Sequence, residues 1–254
     1  MGAGCHRRRA PGLGAVPEAG VELVGTVSLR EAPPGSWAVF AEHRHPGALH
    51  DLGIPPGTAR MVRLCRPAGP AVVLGSTQPI EDVDRSAASA AGLDVVRRRS
   101  GGGAVLVEPG AVAWVDVVVP RSDPLWDDDV GRAFGWLGSA WAEALTALGV
   151  PGAQVHRGGI VRSPWSSMVC FAGLGPGEVM VEGRKVVGMA QRRSRHGALF
   201  QCAVPLAWEP LRLLEVLALS GEERREAAAV LDESVVALDG SADDVEAALV
   251  AQLP

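Results

Sequence analysis

The 254-residue sequence contains no tyrosine, and aromatic residues make up only 4% of it. No apolar run approaches the roughly 18 residues that a membrane-spanning helix needs. The four cysteines, Cys5, Cys65, Cys170 and Cys202, lack C-x-x-C spacing and are too sparse for a disulfide framework. These absences predict a globular protein of a reducing compartment, the cytoplasm, with no membrane partner.

The charge balance argues against nucleic acid as a partner. A formal net charge of −5 gives no overall basic field for nucleic acid, and the N-terminal arginines are followed by no apolar segment typical of a signal peptide. At 47% hydrophobic residues the chain can bury a large core. Composition predicts a disordered tail over residues 1–20, a main domain over 21–207, and a helical segment over 208–254 packed on the same domain.

Three arginines and three glycines stand together between two apolar segments, Leu93–Val96 and Ala104–Val107, which we predict to pair as a β-hairpin. Glycine lets a ligand approach the main chain and its N–H donors, and guanidinium groups suit phosphate or carboxylate. Neither G-x-G-x-x-G opening a helix nor a P-loop lysine is present. The stretch therefore predicts either a phosphate cradle on a hairpin or a solvated basic turn.

The remaining patterns predict an α+β fold, with a mixed, mostly antiparallel sheet flanked by helices. Ser220 with Glu223, and Ser241 with Asp244, are arranged as capping boxes that begin two C-terminal helices. The predicted strands and helices before them are Met61–Cys65, Ala71–Gly75, the helix Glu81–Ala91, Ala111–Val119, the helix Phe134–Leu148, the hairpin Val179–Val181 with Arg184–Val187, and Ala198–Val204.

A helix or loop after Trp37 carries three histidines, His43, His45 and His50. Three imidazoles could hold a metal, but no cysteine or aspartate stands at ligand spacing to complete a site. We therefore predict no metal centre in this segment.

Two stretches resemble one protein family. Residues 97–105, Arg-Arg-Arg-Ser-Gly-Gly-Gly-Ala-Val, resemble the Arg-Arg-x-Ser-Gly-Gly-Gly-Ala-Val segment of the lipoate–protein ligases, relatives of biotin protein ligases and lipoyl/octanoyl transferases. Residues 181–193 are similar to the Gly-Arg-Lys-x-x-Gly-x-Ala-Gln segment, and residues 71–78 match more weakly. The resemblance covers roughly residues 60–205 and implies a biotin/lipoate ligase-like catalytic domain over 21–207.

The resemblance also implies a mechanism. Lys185 would be catalytic, contacting an acyl-adenylate made from lipoate or octanoate with ATP and Mg²⁺, although a lysine alternating with valines is usually solvent-facing. The acyl group would pass to a lysine of a lipoyl domain or of an H-type acceptor protein of glycine cleavage. The implied substrate- and nucleotide-binding residues are Arg97, Arg98, Ser100, Gly101, Gly102, Gly103, Ala104, Gly75, Gln78, Gly188 and Ala190.

Cys170 supports an alternative. Residues 168–171, Met-Val-Cys-Phe, look like the Cys-Phe pair of an octanoyltransferase class that takes its acyl group from acyl carrier protein as a cysteine thioester, without ATP. The plain interpretation of Cys170 is a small buried hydrophobe. We take the ligase as the first expectation, the transferase as the second, and a non-catalytic acyl or carrier-domain binding protein as the third.

The third expectation is motivated by departures from the ligase pattern. Val107-Glu108 stands where ligases usually carry His-Asp, and Ala111 stands where asparagine is expected. Gln201-Cys202 occupies the place of a common His-Gly pair. Each change alters a polar group that would touch the ligand.

Overall fold

The computed structural model describes residues 36–254, so the predictions for the tail 1–20 and for residues 21–35 lie outside the described residues. Within 36–254 the chain forms ten strands and six α-helices. The strands are β1 Ala38–Arg44, β2 Met61–Pro67, β3 Ala71–Leu74, β4 Asp94–Arg97, β5 Val105–Val107, β6 Val112–Pro120, β7 Gln154–Val155, β8 Val179–Val181, β9 Arg184–Ser194 and β10 Gly197–Pro205. The helices are α1 Pro46–Asp51, α2 Arg85–Ala90, α3 Gly135–Ala147, α4 Pro210–Leu214, α5 Gly221–Ser234 and α6 Ala242–Gln252.

The strands form two sheets. The larger has the order β1-β2-β6-β10-β9-β8-β7, in which only β1 and β2 run parallel. The smaller has the order β4-β3-β5, with β3 parallel to β4 and antiparallel to β5. The predicted mixed, mostly antiparallel sheet with flanking helices is confirmed.

The predicted hairpin of the segments before and after the triple glycine is wrong. β4 and β5 do not pair with each other, because β3 lies between them and pairs with both. All four residues of β3 are buried and apolar. A strand buried in this way needs partners on both edges, because its main-chain N–H and C=O groups have no water to bond. The loop 98–104 consequently crosses the end of β3 instead of closing a two-stranded turn.

Strand β6 separates the main core from the functional face. Val115, Val117 and Val119 point towards α3 and α6 and belong to the main core with Trp141 and Leu249. Successive side chains of a strand point to opposite faces, and Trp114 and Val118 accordingly belong to two other apolar clusters. Asp116, which shares their period, is therefore placed on the face away from α3.

The C-terminal helices support the segment around Cys170. Leu213 of α4 and Leu231 of α5 share a buried cluster with Val169 and Ala172. The predicted capping box of Ser220 with Glu223 is confirmed at the start of α5, and Ser241 caps α6. The helix or loop predicted after Trp37 is wrong for His43, which lies in β1, and is confirmed for His50, which lies in α1.

No helix in residues 36–254 combines the length and apolarity required to cross a bilayer.

Candidate functional site

An apolar cavity of about 70 Å³ lies where the two sheets meet. Strands β3, β5, β6, β9 and β10 contribute its walls, and the loop 98–104 and the start of the segment 170–172 complete it. The predicted residues Arg98, Ser100, Cys170, Gly188 and Ala190 are all among those that line it. The fold thus brings together three stretches separated by up to 92 positions in sequence.

Gly102 and Gly103 of the loop, and Gly75 beside it, are required by the local main chain. A Cβ on Gly103 would lie 2.6 Å from the Val169 nitrogen, and a Cβ on Gly75 would lie 1.8 Å from the Gly102 carbonyl oxygen. Gly102 has a φ of 97°, which side chains other than glycine rarely adopt. The loop is therefore pressed between the end of β3 and the Met168–Cys170 segment.

The arginines hold this loop instead of presenting free donors. The Arg98 Nη2 group donates to the carbonyl oxygens of Gly101 and Gly103 at 2.7 and 2.8 Å, and its Nη1 group donates to Val73 at 3.1 Å. Arg97 donates to the carbonyls of Gly75 and Gln78 at 2.7 and 2.5 Å. The predicted phosphate contact of Arg98 therefore competes with main-chain bonds that all three of its nitrogens already make.

Gln78 and Ala104 also act through the main chain. The Gln78 side chain accepts from the Gly75 nitrogen at 3.3 Å and donates to the Met168 carbonyl at 3.2 Å. The Ala104 nitrogen donates to the same Met168 carbonyl at 2.8 Å, and its carbonyl accepts from the Cys170 nitrogen at 3.0 Å. These bonds fix the register between the glycine loop and Cys170.

Cys170 begins a short 3₁₀ turn, Cys170–Ala172, at the edge of the cavity. A Cβ on Gly102 would lie 3.2 Å from the Cys170 Sγ atom, so the thiol faces the glycine loop directly. The residue is half-buried, unlike the fully buried Cys65 and Cys202. Burial raises the pKa of the Cys202 thiol to about 12, because a thiolate loses its hydration there.

Lys185 is the only lysine in the chain, and its side chain is 4% exposed. The ammonium donates to the Cys170 carbonyl at 3.2 Å, the Gly173 carbonyl at 2.6 Å and the Glu178 Oε2 atom at 3.1 Å. Three acceptors match the three N–H groups of a lysine. It also lies 4.8 Å from the centre of the Phe171 ring.

The predicted turn at Glu182-Gly183 is confirmed, since both residues have positive φ between β8 and β9. The pairing register then shifts between Val179 and Met180, which is a β-bulge. The bulge interrupts the expected alternation, so that Lys185 and the two valines after it are all buried.

The ammonium and the cavity lie on different sides of Phe171. Phe171 lines the cavity that contains Cys170 and also a second cavity that contains Lys185. The ammonium thus reaches the site through the Cys170 main chain, whereas the triple-glycine loop faces the Cys170 thiol.

His50, Ser100 and Gln201 form a polar cluster in the wall of the cavity. The Gln201 Nε2 group lies 3.3 Å from His50 Nδ1 and 3.5 Å from Asp116 Oδ1, and its Oε1 atom accepts from the Ser100 hydroxyl at 3.5 Å. Burial lowers the pKa of His50 to about 4, with the Arg98 charge acting in the same direction. Burial raises the pKa of Asp116 to about 6, although the Trp114 hydrogen bond opposes the shift.

Sequence reasoning missed Glu178 as a site residue. Its carboxylate accepts from Lys185, from the Gly175 nitrogen at 2.7 Å and from the Met189 nitrogen at 2.9 Å. An acidic residue next to a turn gave no signal. Of the three histidines, His45 lies against Asp94 and only His50 reaches the cavity. Among the described residues no group of three His, Cys, Asp or Glu side chains could hold a metal ion.

Several curated relatives are octanoyltransferases named LipM. The chain is 31% identical over 164 residues to that of Exiguobacterium sp., covering 62% of this chain and 58% of the relative. It is 30% identical over 192 residues to that of Moorella thermoacetica, covering 74% and 65%. The chain thus spans less than two thirds of the length of these relatives.

Two solved structures have a similar fold. The bi-partite lipoate protein ligase of Thermoplasma acidophilum superposes with a TM-score of 0.67 at 21% identity, covering 85% of this chain and 82% of the neighbour. A lipoate-protein ligase A bound with ATP superposes with a TM-score of 0.64, also at 21% identity, covering 85% and 83%. The likeness at this identity concerns the fold.

The family model of the lipoyl protein ligase A/B catalytic domain matches residues 53–253. That range contains the glycine loop and Cys170, which meet at the apolar cavity, and Lys185, which holds the Cys170 carbonyl from the far side of Phe171. The chain therefore belongs to the lipoyl protein ligase A/B catalytic domain family.

Proposed function

We propose that the chain is an octanoyltransferase, which takes an octanoyl group from a carrier-protein thioester onto Cys170 and passes it to a lysine of a lipoyl-domain or H-type acceptor. The observation that carries this proposal is the half-buried Cys170 thiol at the wall of an apolar cavity, directly against the glycine loop. The LipM relatives favour this reaction over the ligase that the sequence alone placed first.

In the first step the Cys170 Sγ atom forms a bond to the acyl carbonyl carbon, and the carbon–sulfur bond to the carrier breaks. The proton of the Cys170 thiol leaves with the carrier sulfur. Negative charge develops on the acyl oxygen, and none of the N–H groups of Gly101–Gly103 donates to another group in residues 36–254. These donors suit a developing oxyanion, where one donor typically contributes about 3 kcal/mol.

In the second step the neutral amine of the acceptor lysine bonds to the acyl carbon. The bond from that carbon to Sγ breaks, an amide forms, and one amine proton returns to the thiol. Lys185 is the fixed cation of the site: by holding the carbonyls of Cys170 and Gly173, its ammonium orients the turn that carries the nucleophile. Since its three donors are taken, we assign it a positioning and electrostatic role.

Few donors are free for ATP at this site. Arg97 and Arg98 keep their charge, but main-chain carbonyls accept from their N–H groups, and Lys185 is paired with Glu178. The exposed Arg99 pairs with Asp51 at 3.1 Å. The proposed reaction therefore contains no adenylation step and needs neither ATP nor Mg²⁺, which the ligase expectation required.

The test supplies an apo lipoyl domain with octanoyl-loaded carrier protein in one reaction, and with octanoate plus Mg-ATP in another. We expect a gain of one octanoyl group on the domain from the carrier alone, and an octanoyl adduct on the enzyme that is absent in Cys170→Ser. Modification that occurs only with ATP would reject the transferase in favour of the ligase. Binding without modification in both reactions would favour a non-catalytic relative.

A further inference from the structure

One side-chain nitrogen in the wall of the apolar cavity has no partner within residues 36–254. His50 is 8% exposed and lines the cavity with its ring against Trp114. Its Nδ1 atom lies 3.3 Å from the Gln201 amide nitrogen, whereas its Nε2 atom forms no hydrogen bond. The side-chain nitrogens of Arg98, Trp114 and Gln201, which also line the cavity, all form hydrogen bonds. The Nε2 atom of His50 is therefore where this wall can bind a polar atom of an occupant.

The hydrogen bonds of Gln201 decide which ring nitrogen of His50 carries the proton. The Gln201 nitrogen also lies 3.5 Å from Asp116 Oδ1, and its oxygen accepts from the Ser100 hydroxyl at 3.5 Å. Burial raises the pKa of Asp116 only to about 6, so in mildly alkaline solution its carboxylate is ionised and can only accept. The amide NH₂ group therefore faces Asp116 and His50, and one of its hydrogens goes to Nδ1. The proton of the ring is then on Nε2.

The His50 ring presents this N–H group without a charge. Burial lowers the pKa of His50 to about 4, and the Arg98 charge acts in the same direction, so the ring is neutral at neutral pH. A hydrocarbon chain that fills the cavity would remove the N–H group from water without replacing the hydrogen bond. A chain with an acceptor oxygen at that point would replace it.

An uncharged oxygen suits the site better than a carboxylate. Most of the wall is apolar, and a buried carboxylate would need a cation with free donors. Each nitrogen of Arg98 already donates to a main-chain carbonyl. The chemistry of the wall thus points to a neutral acceptor in the occupant.

We propose that His50 is a specificity-determining residue, whose Nε2–H group selects acyl chains that carry an ether, keto or hydroxyl oxygen over plain hydrocarbon chains. Gln201, oriented by Asp116, is the positioning residue that holds the ring in the donating form. The proposal rests on the proposed transfer through Cys170 and refines its class of acyl group, because Cys170 and His50 line the same cavity. An octanoyl group is then accepted but is not the preferred chain.

The form of the His50 ring is measured without any substrate. In protein with isotope-labelled histidine, long-range nitrogen–proton NMR correlations distinguish a protonated Nε2 atom from a protonated Nδ1 atom, and His50→Phe identifies the His50 signals by their loss. We expect the Nε2–H form in mildly alkaline solution, and a mixture of both forms in Gln201→Leu. An Nδ1–H form in the unsubstituted protein would overturn the proposal, because Nε2 would then accept instead of donating.

The preference for an oxygen is measured as kcat/KM for acyl-enzyme formation. The donors are thioesters of octanoate and of its ether analogues, in which oxygen replaces one inner methylene at successive positions. At one position we expect the ether to exceed octanoate by about tenfold. His50→Phe, which keeps a ring against Trp114, should lose this advantage, and Gln201→Leu should reduce it. His43→Phe, the same change on an exposed residue of β1, is the matched control and should retain it.

A preference for octanoate over every ether analogue would overturn the proposal, and so would an ether advantage that survives in His50→Phe. A loss of rate by the same factor for all donors in His50→Phe would overturn it too, because such a loss indicates a structural role. Failure of the unsubstituted protein to form an acyl-enzyme from any thioester would instead reject the proposed transfer, and this assignment with it, even where the Nε2–H form is observed.

Discussion

The carboxylate of Glu178 lies 3.1 Å from the ammonium of Lys185, and both side chains are at least 94% buried. The carboxylate also accepts from two main-chain nitrogens, and the ammonium also donates to two main-chain carbonyls. The pair therefore joins the loop that follows Cys170 to strand β9. A buried ion pair is maintained at a desolvation cost that only such additional hydrogen bonds offset.

We expect Glu178→Gln to destabilise the protein by about 3 kcal/mol, because breaking a buried pair leaves an uncompensated charge. The amide of this variant would also replace one acceptor oxygen by an NH₂ donor. That donor would face some of the three groups that donate to the Glu178 carboxylate. Urea unfolding measures the loss. Glu182→Gln is the matched control: its pair with Arg184 is exposed and 3.7 Å long, so a change below about 0.5 kcal/mol is expected.

A double variant separates folding from function. Glu178→Leu with Lys185→Met replaces both charges by apolar groups, and we expect it to recover most of the stability that either single change loses. Octanoyl transfer should remain at least about a hundredfold below the original rate, because the cation at the Cys170 carbonyl is gone. Full transfer in this double variant would show that the pair is purely structural.

Cysteine alkylation tests the nucleophile. In the folded protein we expect iodoacetamide to modify Cys170 and to spare Cys65 and Cys202, because burial raises the pKa of both thiols and hinders access. Peptide mass spectrometry identifies the modified positions. Preincubation with octanoyl carrier should protect Cys170, whereas unaltered labelling would contradict the thioester.

The glycines of the loop should differ in how well they tolerate substitution by alanine. Gly103→Ala places a methyl group 2.6 Å from the Val169 nitrogen, and we expect it to lower Tm by several degrees because main chain must move. Gly101→Ala meets no atom within 4 Å and has no positive φ, so its Tm should stay within about one degree. Equal Tm losses would mean that the loop does not have this packing.

Asp116 and His50 should oppose each other in the pH dependence of stability. The pKa of Asp116 is raised from 3.8 to about 6, so the folded state binds more protons and unfolding free energy falls as pH rises through that window. The pKa of His50 is lowered from 6.5 to about 4, so unfolding free energy rises with pH there. Each contribution is on the order of 3 kcal/mol.

Single substitutions expose the two contributions. Between pH 4 and 6, Asp116→Asn should become more stable with rising pH, because the opposing contribution of Asp116 is removed and that of His50 remains. His50→Phe, which keeps a ring against Trp114, should become less stable over the same interval. Parallel pH profiles for the two variants, measured by urea unfolding, would contradict these assignments.

Local patterns predicted much of the fold. Strands such as Met61–Cys65 and Ala198–Val204 lie within β2 and β10, and the Glu182-Gly183 turn is where the residues require it. Local patterns did not predict which strands pair with each other. Nothing in the Leu93–Val107 segment reveals that β3 lies between its two strands, because pairing depends on which apolar strand competes for the central position.

In the candidate site, too, the sequence predicted some features and only the structure showed others. The motif resemblance placed Cys170, Lys185 and the glycine loop together, but it could not show that Arg97 and Arg98 donate to carbonyls. Glu178, His50 and Asp116 gave no pattern of their own, because each acquires its role from contacts with distant main chain or side chains. Such contacts exist only after folding.

The sequence by itself determined the family, the fold class and the chemical groups available, because these depend on residue types and on local spacing. Only the tertiary structure decided which of those groups remain free. Burial and close packing direct Arg97, Arg98 and the single lysine to main-chain carbonyls, and they leave the Cys170 thiol facing the cavity.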